Sequence, residues 1–440
     1  MTTPDAAPST LPGGEPLSPG ARPAGRRPLS PGALLAALTA LNVLAFVDRQ
    51  LVVTLAPLLI EDLGLTRAEI GLLVGASFIV VFAGLNLVLG AAADRFPRPR
   101  LIAAGLGVWS VATTLSGAVS GLAQMVVLRI GVGVGEATLS PTALSMLGDR
   151  FAPARRGLAS SVFYTGIPLG FACSFLLAGW LGPWLGWRAC FFVLGAGGMV
   201  AVAAVTRMAD VPRRGVEAGA APPDARALGR GLGRALAERP AVALVSLAGA
   251  LLAFMSSASQ HTITWLVEER GFEYSRAAFL SAAMVAGGGL LGNVAVGALT
   301  DRWRRRHPAG RLVGTAVLTV LAVPVAAAFY LVPPASLLFL PLWFLTQAWM
   351  MGWFGPLLAA LDELAPAGVR ATVLGFGLLA TNLLGVAPGP FVAGLIGDRI
   401  DLTTALLVAL GVGASAALPL LAAAWLVARS PGSAAGPEAA

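Results

Sequence analysis

The chain of 440 residues is 57% hydrophobic and only 12% charged, with a formal net charge of +8. That balance excludes an ordinary soluble domain, in which about 25% of residues are charged. The basic side chains are all arginines, set mainly in short loops beside long apolar blocks; this is the pattern of membrane orientation and excludes a nucleic-acid partner, and without lysine no phosphate-binding loop of an ATP-driven pump can form.

Residues 1–31 are rich in Pro, Ala and Gly and read as a disordered tail. Arg26-Arg27 ahead of an apolar stretch imitates a twin-arginine signal. The stretch is too long for a signal core and contains Asp48 and Arg49, so it reads as a first membrane helix, with no cleavable segment expected.

Twelve apolar blocks follow, near 33–60, 68–92, 101–120, 122–147, 157–181, 187–207, 240–267, 276–299, 312–332, 335–361, 371–396 and 402–427. Each matches the roughly 20 residues a helix needs to cross a bilayer, and in lipid the backbone must satisfy its own hydrogen bonds. Cys173 and Cys190 lie inside such blocks and read as small core residues. With even parity, one set of loops collects most of the arginines, while the other holds Arg67, Arg188, Arg270, Arg276 and Arg399. The termini are therefore expected on the cytoplasmic side of a bacterial inner membrane.

The blocks repeat. Gly90…Asp94-Arg95 after the second matches Gly297…Asp301-Arg302 after the eighth. Asp149-Arg-Phe-Ala-Pro-Ala after the fourth matches Asp362-Glu-Leu-Ala-Pro-Ala after the tenth, and proline-glycine pairs near Pro168 and Pro388 match between the fifth and eleventh. The expected fold is an all-α membrane protein of 12 transmembrane helices in two parallel six-helix repeats. Its parts would be the tail, an N-terminal bundle over 32–207, a cytoplasmic linker over 208–239, a C-terminal bundle over 240–428 and a tail over 429–440. Such repeats place a substrate site near the midplane between the halves. In the linker, Arg226, Arg230 and Arg234 alternate with Leu228, Leu232 and Leu236, giving either an amphipathic surface helix or, because of its glycines, a loose connection.

Asp48 and Arg49 fall mid-way along helix 1; Arg129 and Glu136 in helix 4 lie seven residues apart, on one face and roughly 10 Å along the axis. By depth, Asp48 and Glu136 share the midplane and Arg129 lies nearer the outside. Each costs about 2.5–3.5 kcal/mol to insert, so the four must face inward and pair. They could form a fixed clamp, although an apolar pair would serve that purpose as well. Alternatively a carboxylate takes up a proton, releases an arginine and biases one of two packings.

Around them, Gly90, Asp94, Arg95 and Arg98, with Asp301 and Arg302, read as a gate loop, Asp94 serving as acceptor at the start of helix 3. Gly166, Pro168 and Gly170 read as a bend in helix 5, and the glycines at 131, 133 and 135 as a close-packing face. Asn42, Gln260 and His261 are candidate cavity-lining residues, His261 being the one intramembrane ionisable group of the second half. No metal site or cofactor is expected, since the two histidines are His261 and the loop residue His307.

The six-plus-six layout with its repeated Gly…Asp-Arg loop resembles the major facilitator superfamily over about residues 33–427. Asp48-Arg49-Gln50, Gly133-Val-Gly135-Glu136-Ala137 with Ser140-Pro141, and Gly166-Ile-Pro168-Leu-Gly170 resemble the Spinster-like transporters. The resemblance implies that Asp48, Arg49, Arg129 and Glu136 take part in proton coupling and substrate handling; characterised eukaryotic relatives move lysolipids or sphingoid phosphates. Helix 1 departs from the family's Asn-Tyr-x-Asp-Arg: it reads Asn42-Val-Leu-Ala-Phe-Val-Asp48, without the Tyr. The expectation is a monomeric secondary transporter and not an enzyme, coupled to protons and carrying an amphiphilic, lipid-like or organic-anion solute. A small-carboxylate symporter, a drug efflux antiporter and a non-transporting membrane sensor remain as alternatives.

Overall fold

The computed structural model describes residues 29–212, 225–366 and 369–429. Most of the two expected tails and part of the linker lie outside them. Ten helical stretches among the described residues are long and apolar enough to cross a membrane. One of them, Arg155–Val205, is broken at Gly186, whose φ of 77° suits glycine, and holds two spans. The helix Arg98–Ser116 packs against the fourth and sixth spans and completes a set of twelve, in agreement with the sequence.

Helix 1 comprises Pro31–Thr54 and Ala56–Leu63, helix 2 Arg67–Val74 and Ala76–Arg95, helix 3 Arg98–Ser116, and helix 4 Leu122–Glu136 and Leu139–Arg150. Helix 5 begins as Pro153–Tyr164 and resumes at Gly166; helix 6 covers 187–205. In the second half, helix 7 runs through Pro240–Ala258 and, after a tight turn at Ser259–His261, Thr262–Glu268. Helix 8 is Tyr274–Arg306, helix 9 Gly310–Leu331, and helix 10 Phe339–Gly352 and Phe354–Leu364. Helix 11 is Arg370–Ala380 and Pro388–Arg399 joined by a π-helical stretch, Thr381–Val386, and helix 12 is Leu402–Ser415 and Ala417–Arg429.

Local chemistry sets the ends. Ser30 caps helix 1 ahead of Pro31, Thr66 and Glu69 form a reciprocal capping box on helix 2, and Asp401 caps helix 12. Both ends of the described chain lie on one face of the bundle, the near face. On the opposite, far face, Asp62 accepts from Arg188 and from the Trp187 indole, which hold its carboxyl below the usual carboxylate range.

The halves meet closely at the far face. Helix 2 lies against helix 11 with Gly71 on Pro390, Gly75 on Ala387 and Gly394 on the carbonyl of Arg67. Helix 5 lies against helix 8 with Gly179 on Ala278 and Gly182 on Tyr274. Polar contacts add to this seam: Arg67 pairs with Glu268 at 2.6 Å, and Asp398 accepts from the backbone N–H groups of Arg67 and Ala68 at 2.9 Å. The Tyr274 hydroxyl donates to the Thr54 carbonyl.

The linker contains a helix, Ala225–Glu238. Its leucine side turns to protein: Leu232 and Leu236 pack on the hydrophobic core and Ala235 is buried, while Arg230 and Arg234 are exposed. Its contacts are with helices 7 and 11, so it is docked on the second half.

The expected gate loop is rearranged. Helix 2 continues through Arg95, which puts Gly90, Asp94 and Arg95 inside its last turns; their side chains lie outside the described residues. Asp94 therefore lies in the last turn of helix 2, ahead of the Pro97 cap of helix 3. Among the described side chains, Asp210, from the segment after helix 6, accepts at the start of helix 3, taking the backbone N–H of Arg98 at 3.1 Å. Arg98 is completely buried and reaches Asp149 at 2.6 Å, Asp210 at 3.2 Å, Ser145 and the carbonyl of Val211. Among the described residues these partners belong to the first half and to the start of the linker, so Arg98 ties the linker's first residues to helices 3 and 4. The second half repeats the device: Arg311 at the start of helix 9 pairs with Asp301 and Glu363, and Glu363 also takes Arg304, while Arg302 is exposed. Arg98→Ala is expected to lower stability by about 2–3 kcal/mol, because two carboxylates lose their buried partner but can still reach water. A thermal-unfolding midpoint unchanged from the parent would refute this.

Candidate functional site: a buried charge group beside a neutral cavity

Helices 1, 3 and 4 converge on the four charged residues. Gly133 and Gly135 bring helix 4 against Phe78 of helix 2 and Gly105 of helix 3, the close packing its glycine run foretells. In helix 5, the ladder is interrupted at Thr165, and Gly166 and Gly170 seat that helix on Asn42, Val43 and Phe46 of helix 1.

Two ion pairs result. Arg49 donates to Glu136 Oε2 at 2.8 Å from Nη2 and 3.3 Å from Nε. Arg129 Nη1 lies 3.6 Å from Asp48 Oδ1, and the Thr113 hydroxyl donates to Asp48 Oδ2. Asp48, Arg129 and Glu136 are 1–2% exposed; Arg49 is the open member, its side chain 22% exposed. Depth alone pairs Asp48 with Glu136 in level, but each carboxylate instead takes a different arginine.

Satisfaction is incomplete. Arg129 Nε, Nη1 and Nη2, Asp48 Oδ1 and Glu136 Oε1 are buried without a hydrogen-bond partner among the described residues. Arg129 holds only a loose ion pair and the face of Phe78, 5.0 Å from its guanidinium carbon. Buried charges left so poorly bonded are costly, which marks a group with more than one arrangement and not a finished clamp. Arg49 sits among the rings of Phe46, Phe78 and Phe82, 4.4–4.7 Å from its guanidinium carbon.

A cavity of about 250 Å³ opens between the halves, lined mainly by helices 5, 7, 8, 10 and 11, with Gln50 and Val53 from helix 1. Its wall mixes amides and hydroxyls (Gln50, Gln260, Gln347, Asn382, Ser256) with rings (Phe171, Phe175, Trp343, Trp353), and no charged side chain lines it. Phe171 also packs on Phe46, ring centres 5.8 Å apart, so the cavity wall and the aromatic surround of Arg49 share an edge.

Of the three expected lining residues only Gln260 lines it. Asn42 is buried and donates to the carbonyl of Phe163 at 2.8 Å, fixing helix 5 to helix 1. His261 is buried with Nε2 2.8 Å from the carbonyl of Pro390; a carbonyl only accepts, so Nε2 carries the proton and ties helix 7 to helix 11. Sequence reasoning missed Gln50, Gln347 and Asn382, although a lone amide inside an apolar block is itself a signal. It also missed Thr113, a hydroxyl common in membrane helices.

Comparison with known proteins agrees with this architecture. An MFS-type efflux pump of Mycolicibacterium smegmatis is 31% identical over 85% of this chain and 86% of its own length. The sphingosine-1-phosphate transporter SPNS2 of Danio rerio is 28% identical over 82% of this chain and 75% of its own. A probable sulfoacetate transporter of Cupriavidus necator is 34% identical, but over only 37% of this chain and 38% of its own. Among solved structures, a bacterial homolog of the human lysosomal transporter Spinster, inward-facing and unoccupied, superposes with a TM-score of 0.74 at 22% identity, covering 90% of this chain and 96% of that one. Residues 38–388 match the Major Facilitator Superfamily, and with the Spinster resemblance and the twelve-helix fold already described, this chain belongs to that superfamily of membrane transporters.

Proposed function

We propose that the protein is a proton-coupled secondary transporter of an amphiphilic solute, working by alternating access between its two halves. The observation that carries this reading is the under-bonded group Asp48–Arg129 and Arg49–Glu136 standing at the edge of a neutral, aromatic cavity. Protonation of Glu136 would free Arg49, the member nearest the cavity wall; protonation of Asp48 would free Arg129. Either leaves the group at +1 and favours a different helix 1–helix 4 packing.

The pairs are also those a static lock would show. The open edge of Arg49 and the three unbonded nitrogens of Arg129 support the switching reading over a sensor without flux. A small-carboxylate symporter would want basic residues from both halves in its cavity, and this wall offers none. The likeness to an efflux pump supports export as the direction of transport. Arginine placement supports an inner-membrane protein whose near face is cytoplasmic, with the closed seam facing outward.

Purified protein in liposomes, with an imposed pH gradient and a panel of lysolipids, carboxylates and dyes, tests the reading. Gradient-driven transport should fall more than tenfold in Glu136→Gln and in Asp48→Asn. Solute exchange without a gradient should persist in at least one of the two. Full gradient-driven transport in both variants would end the coupling claim.

A further inference from the structure

The cavity wall has a chemical bias that the charged group does not explain. Gln50, on helix 1, is 6% exposed; Gln260, on helix 7, and Gln347, on helix 10, are half-buried. All three line the cavity, and none of their side-chain amides bonds to a described residue. Amides that open onto one cavity with their donors and acceptors uncommitted to protein can bond to a guest, so three converging on one space mark a surface suited to a polar guest. By contrast the Trp353 indole is satisfied, donating to Ser256 Oγ at 2.8 Å, which leaves its ring face for contact.

The guest's charge follows from what is missing on the wall. Amides both donate and accept, as hydroxyls do, and so complement a group that also does both. A phosphate, sulfate or ammonium group there would be desolvated with no counter-charge among the lining residues. Trp343 and Trp353, with Phe171 and Phe175, supply flat apolar faces for the C–H side of a ring or for a tail.

We propose that this cavity binds an uncharged, hydroxyl-rich head group of the glycoside kind through Gln50, Gln260 and Gln347, with the aromatic wall holding the apolar part of the same molecule. This rests on the amphiphile reading above and narrows it; the carrier would discriminate against phosphate and sulfate head groups.

Equilibrium dialysis on the full chain in nanodiscs, corrected with empty nanodiscs and run without any pH gradient, tests it. The probes are hexyl β-glucoside, hexyl phosphate and hexyltrimethylammonium, which share one tail, together with free glucose. The glucoside should bind at least about tenfold tighter than either charged probe. Gln260→Leu and Gln347→Leu should each weaken it about fivefold to tenfold, one hydrogen bond apiece, without changing the weak binding of the charged probes. Glucose binding as tightly as hexyl glucoside would support the head-group assignment and point to a free sugar as the source. Tighter binding of hexyl phosphate, or unchanged glucoside binding in both variants, would overturn the proposal. The ranking on the parent chain decides even if a variant fails to fold. Because no gradient is present, failure here leaves the coupling reading standing, and failure of the coupling variants leaves this one standing.

Discussion

Arg129→Leu is expected to destabilise the protein by about 3–5 kcal/mol and to abolish gradient-driven transport, because it strips a buried carboxylate of its counter-charge. The Arg129 guanidinium makes no hydrogen bond among the described residues and lies 3.6 Å from Asp48, so its contribution is electrostatic. Without it Asp48 keeps the Thr113 hydroxyl and the more distant charge of Arg49, in a pocket that also holds Glu136. The double variant Asp48→Asn with Arg129→Leu removes both charges together. Its stability should return to within about 1 kcal/mol of the parent, as for buried pairs replaced by neutral groups, while gradient-driven transport stays absent. Unfolding in a mixed detergent titration, read beside liposome transport, separates the two effects. A single variant as stable as the parent would show that the pair is not coupled, and transport in the double variant would show that it is not part of the switch.

At the far face, Gly71→Val should keep the seam from closing. A β-carbon built on Gly71 would sit 2.3 Å from the carbonyl oxygen of Pro390 and 2.6 Å from the α-carbon of Phe391. Both obstacles are backbone, so no side-chain rotation relieves them, and overpacking of this kind costs about 1–3 kcal/mol. On a two-state equilibrium that is roughly a fivefold to hundredfold shift toward the far-face-open arrangement. The same displacement would pull Arg67 away from Glu268 and Asp398, adding to the shift. With Cys173 and Cys190 replaced and spin labels at positions 61 and 399, the distance distribution should gain a longer component. A distribution identical to the parent's would mean that this glycine contact does not govern closure.

Much of this was legible because membranes impose length. Apolar blocks placed the helices to within a few residues, and the repeated Asp-containing loops announced the two halves. The charged group was legible for the same reason: Asp48, Arg49, Arg129 and Glu136 stand out because lipid makes each one expensive. Which acid takes which arginine was not, since that depends on the rotation of helices 1 and 4, and depth along an axis says nothing about rotation. The surroundings of Arg98 were not legible, because helix 2 runs just past its apolar block to Arg95 and the partners of Arg98, Asp149 and Asp210, come from segments far along the chain. His261 shows the limit of residue type: the same ring that could carry protons here fastens helix 7 to Pro390.

The π-helical stretch in helix 11 has a consequence for the phase of that helix. Between Thr381 and Val386 the chain carries one residue more than a regular turn, with Ala387 N–H bonding back to the Asn382 carbonyl at 2.8 Å. Each added residue rotates everything beyond it by about 100° relative to an uninterrupted helix. Leu378 ahead of the stretch and Thr381 and Asn382 at its start face the cavity; beyond it, Ala387, Pro390 and Gly394 face helix 2. Without the offset those two surfaces would drift to different azimuths, and a single straight rod could not line the chamber with one end while sealing the far face with the other.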